Sequence, residues 1–482
     1  MQRVRPDFPW PLHDAAGTRV LEQKAASALP AHALMQRAGL AVARLALALA
    51  PHARTFWIAC GPGNNGGDGL EAALRLRQWG KMPLVSWLGD EARCPPDALA
   101  SLRRAREAGV PVQAASPAAW DFGIDALLGL GRARTLEGAM AQWTASMNAS
   151  NRPVLAVDLP SGLDPDTGHG EGIRATHTLS LLTLKPGLFT AQGRDAAGEI
   201  WFEGLGVGID APPPVARLIA PVRASARRHG SHKGSYGDVA VVGGASGMTG
   251  AAHLAASAAL HAGAGRVYIS LLVHSGPTVD VGGSAPDLMV RPWNSLDLRA
   301  MSVACGCGGG DAVRAVLPQV ISVAGQLVLD ADALNAIADD TQLQGRLAAR
   351  GARMRQTVLT PHPLEAARLL NCSVAEIQAD RLRAASELVR RFGCVVVLKG
   401  SGTVVAGPGQ LPLINPTGNA RLAIAGTGDV LAGMVAAGMA GGASAFEAAA
   451  SAVHAHGLRA DRWPVNQPLS ASALAAAGGL TV

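Results

Sequence analysis

The sequence predicts an α/β protein with two domains, and three observations carry this prediction. Its 482 residues are more than one ordinary hydrophobic core requires. Short apolar runs alternate with helical patterns, which indicates parallel sheets covered by helices on both faces. This alternation breaks once, from about residue 208 to 237, where prolines, arginines and glycines predict a linker. We therefore expect domains at residues 1–211 and 222–482.

The alternation of the first domain extends from Arg54 to Leu184. Predicted strands are "TFWIAC", "PLVSWL", "GIDALLG", "PVLAVD" and "TLSLLTL", and predicted helices include "LEAALRLRQWG" and "DALASLRRAREAG". A parallel sheet of this kind binds its ligand at the carboxyl ends of the strands. Polar residues that follow these strands are therefore the candidates for a site.

The second domain repeats the alternation. Its predicted elements are "DVAVVGG", an alanine-rich helix from about Ala251 to Ala262, "RVYISLLV", "QLVLDAD", "TVLTP", "VVVLKG", "TVVAG" and a helix after Thr427. We expect this domain also to be an α/β domain with its own glycine-rich loops.

Composition excludes several classes of protein. With 49% hydrophobic and 16% charged residues, the chain is not a disordered one. The net charge of +6 is small for this length, there is no long basic run, and only 4% of the residues are aromatic, which argues against nucleic-acid binding. Charges and prolines at the amino terminus, and the lack of a long apolar run, predict a cytoplasmic protein that does not enter a membrane.

The six cysteines are too sparse for a disulfide framework and indicate reduced thiols. Cys305 and Cys307 are separated by one glycine, and no second pair accompanies them. This spacing is unlike that of a zinc site. We expect two small buried residues.

The segment "GPGNNGGDG", residues 61–69, follows a predicted strand and precedes a predicted helix. Free backbone N–H groups at a helix start favour an anionic ligand. The segment is neither a Walker loop nor a dinucleotide fingerprint. Asn64, Asn65 and Asp68 add side-chain oxygens that suit a hard cation, a ribose or an amide. The alternative is a tight turn capped by Asp68.

Two later strand ends carry matching oxygens. Asp125 lies in "DALLGLGRAR", where glycines and two arginines suited to phosphates follow it. Asp158 and Ser161 lie in "AVDLPSGLDPDTG". Each motif alone is compatible with a cap or a turn, but three strand ends with Asn, Asp and Ser oxygens beside glycines favour one common site.

The segments "GPGNNGGDG", "DALLGLG", "VDLPSGLDPDTG" and "LTLKPGLFT", in this order and preceded by "MQRAG", resemble the N-terminal half of the bifunctional NAD(P)H-hydrate repair enzymes. The resemblance implies a Rossmann-like domain that epimerises NAD(P)HX, the hydrated form of the reduced cofactor. Its R and S forms would interconvert at the hydroxylated ring carbon.

The resemblance also implies roles for single residues. Asn65, Asp125 and Ser161 would coordinate K⁺, and Asp158 would be the catalytic carboxylate at the ring. Leu130 and Arg132 stand where the family commonly has threonine and leucine, which bears on substrate binding. The implied substrate-binding residues are Asn64, Asn65, Gly66, Gly67, Asp68, Gly129, Leu130, Gly131, Arg132, Ala133, Arg134 and Asp158.

Two segments of the second domain suit a nucleotide. "VVVLKGSGTVVAG" ends a strand at residues 399–403, whose ammonium, N–H and hydroxyl groups suit phosphates. In "AGTGDVLAGM", residues 426–428 begin a helix whose N–H groups form an anion site beside Asp429. An aspartate there suits deprotonation of an acceptor hydroxyl, whereas the alternative is an ordinary complement to the helix dipole.

These segments, with "HKGSYGDVAVVGG", "LVLDADALN" and "LTPHPLEAARLL", resemble the ribokinase-like kinases and, more closely, their ADP- or ATP-dependent NAD(P)HX dehydratases. The resemblance implies that the nucleotide phosphorylates the hydroxyl of the S-hydrate with Mg²⁺ as cofactor. Loss of phosphate would then regenerate NAD(P)H. The sequence does not distinguish ADP from ATP.

Residue roles follow from this second resemblance. Asp429 would be the catalytic base. The motif "TPHPLE" places His362 where the sugar kinases tend to have asparagine, and a histidine suits a substrate phosphate or amide better than magnesium; the alternative is a capped turn. The implied hydrate-binding residues are Ala251, Gly308, His362 and Asp429, and the nucleotide-binding residues are Lys399, Gly400, Ser401, Gly402, Thr403 and Gly428.

Two departures from the family pattern leave alternatives open. "VACGCGGGD" at 303–311 replaces the usual Gly-Pro-Gly-Leu-Gly pattern, and Ala425 replaces a glycine beside the anion site. Besides a repair enzyme, the sequence allows a kinase of a vitamin-like alcohol fused to a ligand-binding domain, or a non-catalytic dinucleotide-binding scaffold. We expect a homo-oligomer that binds NAD(P)HX and ADP or ATP, without nucleic acid or membrane.

Overall fold

The computed structural model describes residues 1–131, 135–208, 211–221, 229–273 and 286–477. Two compact units divide the chain. Unit 1 comprises Met1–Arg5 and Trp10–Arg217, and unit 2 comprises Pro6–Pro9 and Leu218–Val482. The boundaries expected at 1–211 and 222–482 stay a prediction.

In unit 1 the strands and helices alternate as the sequence predicts. The helices are α1 (Ala15–Ala28), α2 (Ala33–Leu49), α3 (Asn64–Gln78), α4 (Pro96–Glu107), α5 (Gly138–Ala149) and α6 (Gly193–Ala196). The strands are β1 (Gln2–Arg3), β2 (Pro11–Leu12), β3 (Thr55–Cys60), β4 (Met82–Trp87), β5 (Val112–Gln113), β6 (Phe122–Ala126), β7 (Val154–Val157), β8 (His177–Leu181) and β9 (Glu199–Glu203). Strand β10 (Ala216–Leu218) includes the last two residues of unit 1 and the residue that follows them.

Eight of the described strands of unit 1 form a doubly wound sheet in the order β1-β9-β8-β7-β6-β3-β4-β5. Neighbours from β9 to β5 pair in parallel, and β1 is antiparallel to β9. Phe56 and Ile58 face an apolar cluster with α2 and α3, while Trp57 faces a second cluster with Trp143 of α5. Burial on both faces explains the nearly continuous apolar runs of these strands.

Strand β10 lies within the stretch for which the sequence predicts a linker. Ala216 and Leu218 are buried and Arg217 between them is exposed. This alternation with a period of two is that of a strand with one buried face. Ala216 pairs with Leu12 and Arg217 with Pro11.

The glycine-rich segment differs from the predicted loop. Helix α3 begins at Asn64, so only residues 61–63 form a loop and "NNGGDG" forms the first helical turns. A Cβ on Gly66 would lie 2.0 Å from the carbonyl oxygen of Gly61, and one on Gly69 would lie 2.6 Å from Cβ of Ala126. These glycines allow the helix start to pack closely on the sheet, and Asp68 is a helical residue and not the cap of a turn.

Unit 2 is a second α/β unit. Its strands are β11 (Asp238–Gly243), β12 (Arg266–Leu271), β13 (Met289–Val290), β14 (Ser302–Cys305), β15 (Gln326–Leu329), β16 (Thr357–Leu359), β17 (Val395–Leu398), β18 (Val404–Ala406) and β19 (Leu413–Ile414). Its helices are α7 (Thr249–His261), α8 (Val313–Val323), α9 (Ala331–Asp339), α10 (Thr341–Ala352), α11 (Pro363–Leu370), α12 (Val374–Ala379), α13 (Arg381–Phe392), α14 (Thr427–Ala440), α15 (Ala445–Asp461) and α16 (Ala471–Ala476).

Strands β13-β12-β11-β14-β15-β16-β17-β18-β19 form the sheet of unit 2 in this order. They are parallel up to β17, after which β18 and β19 add antiparallel pairs. The two predicted helices, near residues 251–262 and after Thr427, are confirmed as α7 and α14. Their small residues permit close contact, since a Cβ on Gly433 would lie 1.9 Å from the carbonyl oxygen of Ala255.

Among the residues described, no helix combines the length and the apolar character that crossing a bilayer requires.

Candidate active sites

A cleft of about 880 Å³ lies at the carboxyl ends of the central strands of unit 1. Helix α1, the start of α3 and the loops after β6 and β7 line it. Gly66 and Gly67 are buried in α3. The predicted site residues that line the cleft are Asn64, Asn65, Asp68, Gly129, Leu130, Gly131, Asp158 and Ser161. Arg132, Ala133 and Arg134 lie outside the described residues.

Asp158 and Lys185 form a buried ion pair at this cleft. Asp158 follows β7 with a φ of 68°, a left-handed conformation that is uncommon outside glycine. Lys185 is fully buried, and its Nζ contacts Oδ1 of Asp158. It also donates to the carbonyl oxygens of Leu181 at 2.9 Å and Thr183 at 3.1 Å. Because a buried ammonium needs a counter-charge, Asp158 is the acidic partner that compensates Lys185.

Sequence reasoning omitted Lys185 from the site, although it lies in the quoted segment "LTLKPGLFT". A lysine inside an apolar run was the available signal.

Two further carboxyl groups line the same cleft. Burial, followed by the charges of Asp158 and Glu22, raises the pKa of Asp68 well above its ordinary value. Burial, followed by Asp158, also raises the pKa of Glu22 on α1. The cleft thus combines one carboxyl group paired with a lysine and two carboxyl groups that retain protons more readily, an arrangement suited to proton transfer. Glu22 was missed because no motif marks α1.

The predicted cation ligands Asn65, Asp125 and Ser161 meet around the backbone of Leu128. Ser161 Oγ donates to Asp125 Oδ1 at 2.7 Å and accepts from the N–H of Leu128 at 2.9 Å. Asn65 Nδ2 donates to the Leu128 carbonyl oxygen at 2.9 Å. A Cβ on Gly129 would lie 3.3 Å from Asn65 Oδ1, so this oxygen faces the same loop.

The oxygen atoms of this cluster are suited to a monovalent cation. Asp125 is fully buried, and burial raises its pKa to about 6 against the hydrogen bonds from Ser161 and Leu127. The other oxygens that could coordinate an ion are neutral: the amide oxygen of Asn65, the hydroxyl oxygen of Ser161 and the carbonyl oxygen of Leu128. Oxygens of this kind replace the hydration shell of K⁺, so the residues present fit the predicted ion.

In unit 2 the predicted site residues also lie after parallel strands. Lys399 follows β17, and its Nζ lies 2.6 Å from Asp330 Oδ1 and 4.0 Å from Glu365 Oε2. Burial alone would lower the pKa of Lys399, but Asp330 and Glu365 reverse this effect and raise it. The sequence predicted that the Lys399 ammonium group binds phosphates. In the structure this group forms an ion pair with Asp330, a residue that was not selected from the sequence.

Asp429 lies in the first turn of α14, beside this ion pair. A Cβ on Gly428 would lie 3.3 Å from Lys399 Nζ, which brings the helix start next to the ammonium. Burial, followed by the charge of Asp330, raises the pKa of Asp429 to about 6. Sγ of Cys307 and one oxygen each of Asp330 and Asp429 lie within 4.8 Å of one another.

His362 caps helix α11. Its Nδ1 accepts from the N–H groups of Leu364 at 3.1 Å and Glu365 at 3.3 Å, and Glu365 Oε2 accepts from the N–H of His362 at 2.7 Å. The capping alternative is therefore realised, and Nε2 carries the proton of the neutral ring. Nε2 lies 3.2 Å from Glu365 Oε1, and burial raises the pKa of Glu365 to about 7.

Ala251 and Gly308 are neighbours in space. A Cβ on Gly308 would lie 2.8 Å from Cβ of Ala251 and 2.6 Å from the carbonyl oxygen of Met248. Gly308 also has a φ of 57°. A side chain at position 308 would clash with these atoms, so the loop after β14 requires a glycine there.

The predicted nucleotide loop, residues 399–403, rests on a buried arginine. Arg381 is 1% exposed, and its Nη2 donates to the carbonyl oxygens of Leu398 and Lys399, each at 3.1 Å. A Cβ on Gly400, whose φ is 136°, would lie 3.0 Å from Nη1 and Nη2 of Arg381. No sequence motif had marked Arg381.

Comparisons with known proteins match both units. A family model described as YjeF-related protein N-terminus matches residues 31–187, and one described as NAD(P)H-hydrate dehydratase matches residues 239–478. The bifunctional NAD(P)H-hydrate repair enzyme Nnr of Escherichia coli is 37% identical over 454 residues, which cover 90% of this chain and 85% of the relative.

The second half has relatives of its own. The ADP-dependent (S)-NAD(P)H-hydrate dehydratase of Neisseria meningitidis is 43% identical over 242 residues, 49% of this chain and 80% of the relative. A structure of the ADP/ATP-dependent NAD(P)H-hydrate dehydratase of Bacillus subtilis, co-crystallised with ATP/Mg²⁺, is 29% identical with a TM-score of 0.43 and covers 52% of this chain and 91% of that one.

Proposed function

The chain belongs to the bifunctional NAD(P)H-hydrate repair enzymes, and on this premise we propose that unit 1 interconverts R- and S-NAD(P)HX while unit 2 dehydrates the S form with ADP or ATP. One observation supports this most strongly: each unit has its own group of buried carboxyl groups at the carboxyl ends of parallel strands. We expect the protein to act in the cytoplasm as a homo-oligomer.

In unit 1 we assign the proton transfers to the cleft carboxyl groups. Asp158, paired with Lys185, accepts a proton beside the hydroxylated ring carbon, and Asp68, whose pKa burial raises, supplies one. The start of α3 and the loop after β6 bind the dinucleotide. Glycines at these positions let the backbone approach the ligand closely.

We propose that K⁺ is held by Asn65, Asp125 and Ser161, with the Leu128 carbonyl oxygen as a further donor. When bound, the ion supplies a positive charge that compensates the buried Asp125 carboxylate. Ser161, which lies in the loop after β7, accepts a hydrogen bond from the N–H of Leu128 in the loop after β6 and donates its own N–H to Asp125. This connection holds both loops at the cleft.

In unit 2 we propose that Asp429 takes the proton of the hydroxyl group of the S-hydrate. The N–H groups at the start of α14 stabilise the charge of the transferred phosphoryl group. Residues 399–403 bind the nucleotide, and Ala251, Gly308 and His362 contact the hydrate. Departure of phosphate from the ring carbon, together with loss of a proton from the neighbouring ring carbon to solvent, then forms the double bond of the reduced nicotinamide ring.

The side chains described around Asp429 do not fit a protein-held Mg²⁺. Asp330 is paired with Lys399, and the thiol of Cys307 is a soft donor that a hard cation disfavours. We therefore assign no side-chain ligand to Mg²⁺ and expect it to be bound through the nucleotide phosphates, as is common for this ion.

The direct test starts from the separated R and S epimers of hydrated NADH. Wild-type protein with ADP or ATP should restore the reduced-nicotinamide absorbance from both epimers. Absence of recovery with either nucleotide would refute the proposal. A phosphorylated product that accumulates without elimination would instead support the kinase alternative, and unchanged turnover in Asp429→Asn would contradict the role of this base.

A further inference from the structure

We propose that His456 is a positioning residue for the anion site of unit 2, because its ring holds the carbonyl oxygen of Thr427 and thereby fixes the direction of the Gly428 N–H group. The proposal rests on the proposed dehydratase function, in which the N–H groups at the start of α14 stabilise the transferred phosphoryl group. It adds to that site a residue of another helix, α15, to which neither the sequence nor the resemblance gave a role.

A direct hydrogen bond joins His456 to Thr427. Nε2 of His456 lies 3.0 Å from the carbonyl oxygen of Thr427, and the histidine is buried. A carbonyl oxygen can only accept, so Nε2 carries the proton and donates it. Burial lowers the pKa of His456 to about 4, which leaves the ring neutral at physiological pH. The ring therefore has one fixed tautomer, with its proton on Nε2.

This hydrogen bond acts on the peptide unit that supplies the Gly428 N–H group. The carbonyl group of Thr427 and the N–H group of Gly428 belong to the same planar peptide bond, so an oxygen held in place also fixes the direction of the N–H. A donor on the oxygen also polarises the peptide and makes its N–H a stronger donor. His456 therefore reaches the anion site through the peptide unit.

Thr427 is the residue by which the first turn of α14 is anchored. The N-cap is Gly426, with a φ of 92°, and a glycine has no side chain that could accept from the first N–H groups and occupy them. Thr427 Oγ1 donates to the carbonyl oxygens of Leu422 at 2.9 Å and Ile424 at 3.1 Å. Since His456 holds the carbonyl group of the same residue, the turn is fixed while its N–H groups stay available to a ligand.

Helix α15 is itself anchored next to this histidine. Thr417 Oγ1 donates to the carbonyl oxygen of His454 at 2.9 Å, and Asn415 Nδ2 donates to the carbonyl oxygen of Thr417 at 3.0 Å. A Cβ on Gly457 would lie 2.4 Å from Thr417 Oγ1, so the helix approaches this loop as closely as a glycine permits. The backbone on both sides of His456 is thus held in place, which gives its ring a defined position.

The test compares His456→Leu, which removes the donor, with His456→Gln, whose side-chain amide nitrogen can take the place of Nε2. His454→Leu is the matched control, because His454 is a buried histidine of the same helix whose Nε2 lies 3.2 Å from the carbonyl oxygen of Pro6. The measurements are kcat and the nucleotide KM for dehydration of the S-hydrate, together with the rate of epimerisation in unit 1.

We expect His456→Leu to lower kcat by about tenfold, less than the 10²–10³-fold that loss of a whole oxyanion donor costs, because the Gly428 N–H is misdirected and not removed. The nucleotide KM should stay close to that of wild type, since an interaction made only in the transition state lowers kcat without raising KM. His456→Gln and His454→Leu should keep a kcat near that of wild type, and all three variants should epimerise normally.

Three results would overturn the proposal. The first is an equal loss of kcat in His456→Leu and His454→Leu, and the second is a His456→Gln variant that recovers none of the loss. The third is a parallel loss of epimerisation, which would trace the effect to the stability of the protein.

NMR spectra of the full-length protein read the contact directly, and the first measurement requires no variant. In wild type, the ¹⁵N shifts of the His456 ring should be those of a neutral ring protonated at Nε2, and protonation at Nδ1 would contradict the hydrogen bond. With ¹³C-carbonyl threonine and ¹⁵N-glycine, the amide of Gly428 is one of four Thr–Gly signals. In His456→Leu it should move to higher field, while that of Gly168 in unit 1 stays in place. An unchanged Gly428 signal would overturn the proposal.

The spectra also separate this proposal from the function on which it rests. If wild type shows no dehydration, the proposed function fails, while the ring of His456 and the amide of Gly428 still report whether the contact exists and orients the peptide.

Discussion

The ammonium group of Lys185 is fully buried in unit 1, and Asp158 is its carboxylate partner. We predict that Lys185→Met abolishes epimerisation and lowers the free energy of unfolding by about 3–5 kcal/mol, because it leaves a buried charge without compensation. Urea denaturation and the rate of R-to-S conversion measure the two effects.

The double variant Lys185→Met/Asp158→Asn separates stability from function. Since neither charge remains, it should regain most of the lost stability but none of the epimerase activity. Wild-type epimerisation in Lys185→Met would contradict the proposed role of this pair.

Asp429 gives unit 2 a predicted pH dependence. Burial and Asp330 raise its pKa to about 6, so the base is ionised above this pH and is lost as the pH falls through about 6. The dehydration rate should show this acidic limb. Asp429→Asn should lower the rate by about 10²–10⁴-fold and remove the limb, while epimerisation is retained. An acidic limb with an apparent pKa near the ordinary value of an aspartate would show that burial does not raise the pKa of Asp429.

Single residues differ in how well the sequence predicts them. Asn65, Asp125 and Ser161 could be predicted because each lies at or after the end of a strand. These strands, β3, β6 and β7, are neighbours in the sheet. Lys185 was not selected because its importance comes from one partner, Asp158, that only the fold brings into contact with it.

At the scale of elements, the start of α3 depends on glycines that let it approach the sheet. In Gly69→Ala the new Cβ would lie 2.6 Å from Cβ of Ala126 and 2.8 Å from Sγ of Cys60. We predict a loss of about 1–3 kcal/mol in the free energy of unfolding. Gly63→Ala is the matched control, since a Cβ there meets nothing within 4 Å. Equal melting temperatures for the two variants would contradict this explanation.

The loop after β17 gives a second prediction for an element. Arg381→Met removes the donors beneath the carbonyl oxygens of Leu398 and Lys399. We predict a several-fold increase in the KM for nucleotide and a loss of about 1–3 kcal/mol in stability, because buried carbonyl groups lose their partners. Arg383→Ala on the same helix removes an exposed arginine and serves as the control. Equal nucleotide KM values in both variants would contradict the role of Arg381.

The elements themselves were largely predictable. "TFWIAC" coincides with β3, because a strand buried on both faces is a short apolar run. The start of α3 was placed too late, since glycine-rich sequence is typical of loops and only the packed structure reveals that these glycines serve close contact. Strand β10 was missed because a three-residue strand carries too little pattern among prolines.

At the scale of the whole molecule, each site is built from residues of one unit. Asp158, Lys185 and Asp68 belong to unit 1, whereas Asp429 and Lys399 belong to unit 2. The two proposed reactions should therefore be separable by single substitutions. Asp158→Asn should still dehydrate the S-hydrate at the wild-type rate, and Asp429→Asn should still epimerise.

The most direct measurement follows the conversion of purified R-hydrate to NADH with nucleotide by wild type, by Asp158→Asn, by Asp429→Asn and by an equimolar mixture of the two variants. We predict rapid recovery with wild type and with the mixture, recovery limited to uncatalysed epimerisation with Asp158→Asn, and none with Asp429→Asn beyond its residual activity. Rapid conversion of the R-hydrate by either variant alone would contradict the division of the two reactions between the two units.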